Sequence, residues 1–248
     1  MATRDLGHTI PIAESFYSIQ GEGPTAGTPA VFLRTSHCNL TCPGWGPPGS
    51  PHGCDTTAVW SRVHARLTPD EIVEWWESEG WLRRFSEGAL LVLTGGEPLL
   101  WQRQLSALVE RLRALFYRPY VEVETNATIL PTVRFDAFVD RWNCSPKLSS
   151  AGNPREKAYV PDVLEWFVDN SRAIFKFVVQ SPSDVDEIES DFVKRFSISP
   201  MRIWLMPEST TRREFLDKAP EVAELAKAGG YRFSPRLQLL IWNQATGV

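Results

Sequence analysis

Residues 89–126 read ALLVLTGGEPLLWQRQLSALVERLRALFYRPYVEVETN, and this stretch sets the architecture. Ala89–Leu93 is a continuous apolar run that ends at the turn Thr94–Gly95–Gly96, the pattern of a short buried strand. From about Trp101 to Tyr117, residues Leu105, Leu108, Val109, Leu112 and Leu115 recur at spacings of three and four. That is the apolar stripe of an amphipathic helix. Tyr120–Glu124 reads as the next strand. Strand, helix and strand in this order form a parallel unit, because parallel neighbours require a crossover.

The same alternation extends in both directions. Ala30–Arg34 reads as a strand, and Thr68–Glu79 as a helix with Thr68 as N-cap, Pro69 in the first turn and Glu71 closing a capping box. A strand approaches Ser145–Pro146–Lys147, another covers Ile174–Val179, and Ser183–Phe196 reads as helical. Arg202–Met206 is a strand, Thr211–Ala228 a helix with a second capping box from Thr211 and Glu214, and Leu237–Trp242 a last apolar strand. About six such units predict an α/β fold, an open or partial parallel β/α barrel rather than a closed eight-stranded one. Residues 1–248 read as a single domain, with a Pro/Gly-rich insertion at 43–53 and the C-terminal strand closing the site. Four polar motifs follow strands: Thr94–Pro98, Glu124–Asn126, Ser145–Lys147 and Met206–Glu208. In parallel sheets ligands gather at the carboxyl ends of strands, so an active site is expected there.

Composition narrows the function class. The chain has 248 residues, 43% hydrophobic and 23% charged, with a net charge of −4. Those values fit an ordinary globular protein and argue against a broad nucleic-acid surface. No run approaches the ~20 apolar residues of a membrane span, and Met1–His8 lacks an apolar core, so no membrane association, no signal peptide and a cytoplasmic location are expected. The ten tryptophans read as packing residues. Lys176 stands inside an apolar strand, where an unpaired charge is costly, so a partner or a pocket is expected for it.

Cys38, Cys42 and Cys54 follow a strand with spacing C-x3-C-x11-C, while Cys144 stands apart and reads as a small buried residue. Clustered cysteines in a reducing compartment point to metal before disulfide. Three thiolates suit a four-iron, four-sulfur cube with one iron open. Zinc, with His37 or His52 as a fourth ligand, is the alternative. Eight of the eleven residues between Cys42 and Cys54 are Pro or Gly, so this segment must loop out. Closure entropy grows only logarithmically with loop length, so Cys54 can return cheaply.

At this point a resemblance carries further. Cys38–Asn39–Leu40–Thr41–Cys42 with Cys54–Asp55–Thr56 resembles the cluster motif of radical S-adenosylmethionine (SAM) enzymes. Phe16–Tyr17–Ser18–Ile19–Gln20–Gly21–Glu22–Gly23, Thr94–Gly95–Gly96–Glu97–Pro98, Glu124–Thr125–Asn126, Ser145–Pro146–Lys147 and Leu237–Trp242 resemble, in order, the 7-carboxy-7-deazaguanine synthase family. The family's usual second cysteine gap is two residues, widened here to eleven, and Asn243–Thr246 departs from the usual Gly and basic residues.

The resemblance implies a lyase of 7-deazapurine (queuosine-type) biosynthesis. It would convert 6-carboxy-5,6,7,8-tetrahydropterin to 7-carboxy-7-deazaguanine by SAM-derived radical chemistry, with Mg²⁺. The radical is carried by SAM, so no side chain is expected to be catalytic in its own right. Cys38, Cys42 and Cys54 would hold the cluster and Thr56 the Mg²⁺. Thr94, Gly95, Gly96, Glu97, Glu124, Ser145, Lys147 and Met206 would contact SAM. Gln20, Glu22, Arg34, Thr94, Gln238 and Val248 would contact the pterin. Arg34 can grip a carboxylate with two nitrogens, and Gln20 and Glu22 match the donor and acceptor edge of a pterin. An external electron donor such as flavodoxin or ferredoxin and a homodimer are also implied. Another small radical-SAM enzyme, such as a glycyl-radical activase, and a non-catalytic zinc-binding protein are the competing expectations.

Overall fold

The computed structural model describes residues 8–45, 54, 57–245 and 247. Among them nine strands make one sheet in the order β3-β1-β2-β4-β5-β6-β7-β8-β9. These are β1 (Ile10–Ile19), β2 (Pro29–Thr35), β3 (Ala65–Leu67), β4 (Leu90–Gly95), β5 (Val121–Thr125), β6 (Arg141–Cys144), β7 (Ala173–Val179), β8 (Ile203–Pro207) and β9 (Arg232–Phe233). Neighbours from β2 through β9 are parallel. The order is linear, with β3 and β9 at its ends, so the barrel stays open. The expected parallel α/β architecture is present.

Alternation sorts the two faces of the central strands. Leu91 and Leu93 of β4, with Val31, Leu33, Val121 and Val123 beside them, face the helical layer and its large core. Leu90 and Val92 face inward with Ala30 and Phe32, and Phe16 packs on that inner cluster. The helix Gln102–Ala114 buries Leu105, Leu108, Val109 and Leu112 completely, as its spacing predicts. Trp76 and Trp142 are fully buried, and Trp142 meets Phe135, Trp166 and Phe167 edge-on. Both expected capping boxes form, at Thr68–Glu71 and at Thr211–Glu214.

Two features differ from the sequence reading. The first is β1, which pairs antiparallel with β2 and β3 and makes the sheet mixed. A register shift between Ile12 and Glu14 interrupts its alternation, because a bulge puts successive residues out of phase with the pleat. The second is Leu237–Trp242, which is helical. A short apolar run does not distinguish strand from helix by itself, and β9 already occupies the sheet edge. The site is therefore approached by a C-terminal helix and not by a strand. The segment Ser183–Phe196 is helical as expected, an α-helix (Pro182–Glu187) that runs into a π-helix (Ile188–Lys194). Among the described residues no helix is long and apolar enough to cross a membrane.

Candidate active site

Parallel register carries polar side chains to one end of the barrel. Arg34 of β2 lies beside Thr94 of β4, and Glu124 of β5 beside Asn143 of β6. All four border a cavity of about 450 Å³. The loops after these strands complete its wall. Cys38, Cys42 and Cys54 line it, as do Thr94, Gly95 and Gly96, and Ser145, Lys147 and Met206. Gln20, Glu22 and Gln238 enter it from the β1 exit and the C-terminal helix. Thr56 and Val248 lie outside the described residues, as do His52 and much of the 43–53 insertion.

Glu97 does not face this cavity. It is fully buried, and it accepts from Leu99 N (3.0 Å), Thr125 Oγ1 (2.9 Å) and Asn126 N (2.7 Å). Burial pushes its pKa up to about 7, against the pull of those donors. Its carboxylate braces the β4 and β5 exits. Glu97→Ala would leave three buried donors without an acceptor. Each orphaned donor costs about 1–3 kcal/mol, so a stability loss of at least ~2 kcal/mol in urea unfolding is the expected result.

The two glycines before Glu97 permit close packing of backbones. Gly96 N donates to Thr35 O at 3.2 Å and Glu97 N to His37 O at 2.9 Å. A Cβ on Gly95 would meet Thr35 O at 2.4 Å, and one on Gly96 would meet His37 O at 2.2 Å. The Gly-Gly-Glu-Pro turn is thereby pressed against the start of the cysteine loop.

The cysteine wall is apolar, with Leu40, Cys42, Trp45, Ala151 and Ala158 packed together and Cys38 and Cys54 against them. Burial pushes the Cys38 thiol up to about 11, against the Leu40 N–H that points at its sulfur from 3.4 Å. Asn126 Nδ2 donates to Cys38 Sγ at 3.8 Å, and Asn153 Nδ2 to Cys42 Sγ at 3.3 Å. Thiols on one wall with N–H groups aimed at them suit an iron–sulfur cube, whose sulfurs accept such bonds. Among the described residues no three His, Cys, Asp or Glu side chains gather closely enough to hold a single ion. His37, the fourth-ligand candidate for zinc, is exposed and its ring lies 6.1 Å from that of Trp101.

A polar network forms the other part of the cavity. Thr94 Oγ1 donates to Glu124 Oε2 at 2.8 Å, and Gln20 Nε2 reaches Glu124 Oε1 at 3.4 Å. Gln20 Oε1 accepts from Glu22 N at 3.1 Å, so both ends of this buried amide are engaged within the protein. Lys147 Nζ donates to Ser145 Oγ at 2.9 Å and sits 4.9 Å over the Trp45 ring. Arg34 pairs through Nε with Glu14 at 2.8 Å.

Glu22 is the electrostatic centre. Lys176 donates to its Oε2, and Arg236 Nε (3.3 Å) and Gln238 Nε2 (2.7 Å) donate to Oε1. Burial alone would raise this pKa, but Lys176 and Arg236 outweigh it and bring Glu22 down to about 2. The same pairing raises Lys176 despite its burial. Lys176 thus has the partner its position demands. Gly21 lets the C-terminal helix close in, since a Cβ there would meet Gln238 Oε1 at 2.0 Å. Gln238 Oε1 and Asn143 Oδ1 are buried acceptors with no donor among the described residues, and both residues border the cavity.

Sequence reasoning missed Arg236, Asn143 and Asn153. Arg236 had a usable signal, an arginine immediately ahead of the apolar C-terminal run. The two asparagines had none, because their roles depend on distant partners.

No protein-family profile matches the chain. It is 39% identical to 7-carboxy-7-deazaguanine synthase of Halobacterium salinarum, over 96% of this chain and 93% of that protein. The enzymes of the same name from Hyperthermus butylicus and Pyrobaculum aerophilum are 36% and 35% identical, again over 96% of this chain. The crystal structure of QueE from Escherichia coli shares the fold, with a TM-score of 0.62 over 94% of this chain and 98% of that one, at 22% identity. Identity of this extent along nearly the whole length places the chain in the 7-carboxy-7-deazaguanine synthase family.

Proposed function

We infer that the chain forms 7-carboxy-7-deazaguanine from 6-carboxy-5,6,7,8-tetrahydropterin, as a cytoplasmic, single-domain enzyme of 7-deazapurine (queuosine-type) biosynthesis. The observation that carries this reading is the division of one cavity into a thiol-bearing apolar wall and a polar wall centred on an ionised Glu22. Cys38, Cys42 and Cys54 would hold a four-iron, four-sulfur cluster. Thr94, Gly95, Gly96, Glu124, Ser145, Lys147 and Met206 would surround SAM. When bound, these groups supply the radical that starts the reaction. Thr56 would hold Mg²⁺, an external one-electron donor such as flavodoxin or ferredoxin would serve the cluster, and the enzyme would act as a homodimer.

The chain's own residues bind and orient the pterin. A carboxylate offers about four acceptor sites, and Glu22 uses three. One remains for a ring N–H, and Gln238 Oε1 and Asn143 Oδ1 stand ready for further donors. Arg34 would bind the substrate carboxylate. Gln20 supports Glu22 from behind through the backbone.

Anaerobic turnover tests the reading. The protein is reconstituted with iron and sulfide, reduced, and given SAM, Mg²⁺ and 6-carboxytetrahydropterin, with products followed by mass spectrometry. The expected product is 7-carboxy-7-deazaguanine. SAM cleavage without it would overturn the substrate, and a colourless protein carrying stoichiometric zinc would overturn the cluster.

A further inference from the structure

We propose that Asn153 is a positioning residue that raises the reduction potential of the cluster by donating a hydrogen bond to the sulfur of Cys42. The inference rests on the cluster reading above. Asn153 lies just beyond a turn that presses on the cysteine loop. Gly44 N donates to Ala151 O at 3.0 Å, and a Cβ on Gly44 would meet Ser150 O at 2.1 Å. The turn is itself held, since Ser149 N donates to Glu187 at 3.0–3.1 Å.

The Asn153 amide uses both of its ends. Oδ1 accepts from Thr41 N at 3.2 Å and from Cys42 N at 2.9 Å. Nδ2 donates to Cys42 Sγ at 3.3 Å. One planar group therefore fixes the backbone of Cys42 and aims an N–H at its sulfur. Cys42 needs this hold, because its backbone is left-handed at φ 47°. In addition, the eleven residues that follow it give no short covalent tether to Cys54.

An electron entering a cluster adds negative charge. An N–H aimed at a ligating sulfur stabilises the reduced state more than the oxidised one, and so raises the potential. Asn153 would ease electron uptake from the external donor. It lies in the same segment after β6 as Ser145 and Lys147, the candidate SAM contacts.

The test compares reconstituted wild type with Asn153→Asp and Asn153→Ser, reading iron content and the midpoint potential of the cluster by EPR-monitored titration. Asp keeps an oxygen for the two backbone N–H groups and replaces the sulfur donor with an acceptor. Ser withdraws the donor from the sulfur without adding charge, because its hydroxyl ends one bond short of the position of Asn153 Nδ2. Both loaded variants are expected to shift to more negative potential. For Asp the ratio of reduced to oxidised cluster at a fixed potential should fall about tenfold, equivalent to ~59 mV for one electron. Unchanged potentials, or a shift in Asp alone, would overturn the proposal. Iron loss in both variants with a wild-type potential in the loaded fraction would reduce Asn153 to a structural clasp and overturn it too. A wild type that takes up no cluster would overturn the cluster reading and this inference together, an outcome distinct from a loaded wild type matched by its variants.

Discussion

Gly96→Ala is expected to lower turnover at least ~100-fold and to reduce the iron held per chain after reconstitution. A Cβ at this position would lie 2.2 Å from His37 O, 2.5 Å from His37 C and 2.8 Å from Cys38 Cβ. Two of these atoms are backbone and the third belongs to a cysteine of the candidate cluster, so no flexible side-chain end can yield. The β4 turn and the start of the cysteine loop would separate, breaking the Glu97 N to His37 O bond at 2.9 Å. Glu97 would be pulled from its three donors in the same movement. A displacement of about 1 Å can cost 10²-fold in rate. Iron and sulfide analysis alongside turnover checks this, and a variant with full cluster and near-normal turnover would refute it.

The second large effect concerns charge. Glu22→Gln leaves Lys176 and Arg236, whose side chains are only 7% and 9% exposed, without the carboxylate they share. Removing one partner of a buried pair typically costs about 3–5 kcal/mol, and urea unfolding at neutral pH should show a loss of that order. The effect has a defined pH dependence. Glu22 in the fold titrates at about 2, below its ordinary 4.5. Its stabilising contribution is therefore complete above pH 4.5 and disappears as pH falls through about 2. The gap between wild type and variant should narrow across that window, and a constant gap would show that charge is not its origin. Loss of turnover in Glu22→Gln should exceed what instability explains, since the carboxylate would also receive a pterin N–H.

How much of this was legible in the chain can be judged residue by residue. The helix Gln102–Ala114 and strand β4 were readable because burial periodicity is local. Thr68 and Thr211 announced their helices because a capping box spans only four residues. β1 is hidden in the sequence because its bulge breaks the alternation that identifies a strand. The C-terminal run Leu237–Trp242 is ambiguous in the sequence because an apolar hexapeptide satisfies either conformation. The motif around Glu97 does not show that its carboxylate engages Leu99, Thr125 and Asn126, because those bonds form only when the β4 and β5 exits meet.

The sequence by itself determined the open parallel architecture, the order of motifs at the strand ends, the cysteine triplet and the requirement that Lys176 be paired. Each follows from steric or electrostatic rules that act within one element or on one side chain. Only the tertiary structure decided which group would meet that requirement and where the remaining amides would point. Glu22 meets Lys176 across 154 residues and Arg236 across 214, and Asn153 reaches Cys42 across 111. Such pairings depend on strand register and loop docking, which bring distant atoms to hydrogen-bond distance only after the sheet has assembled.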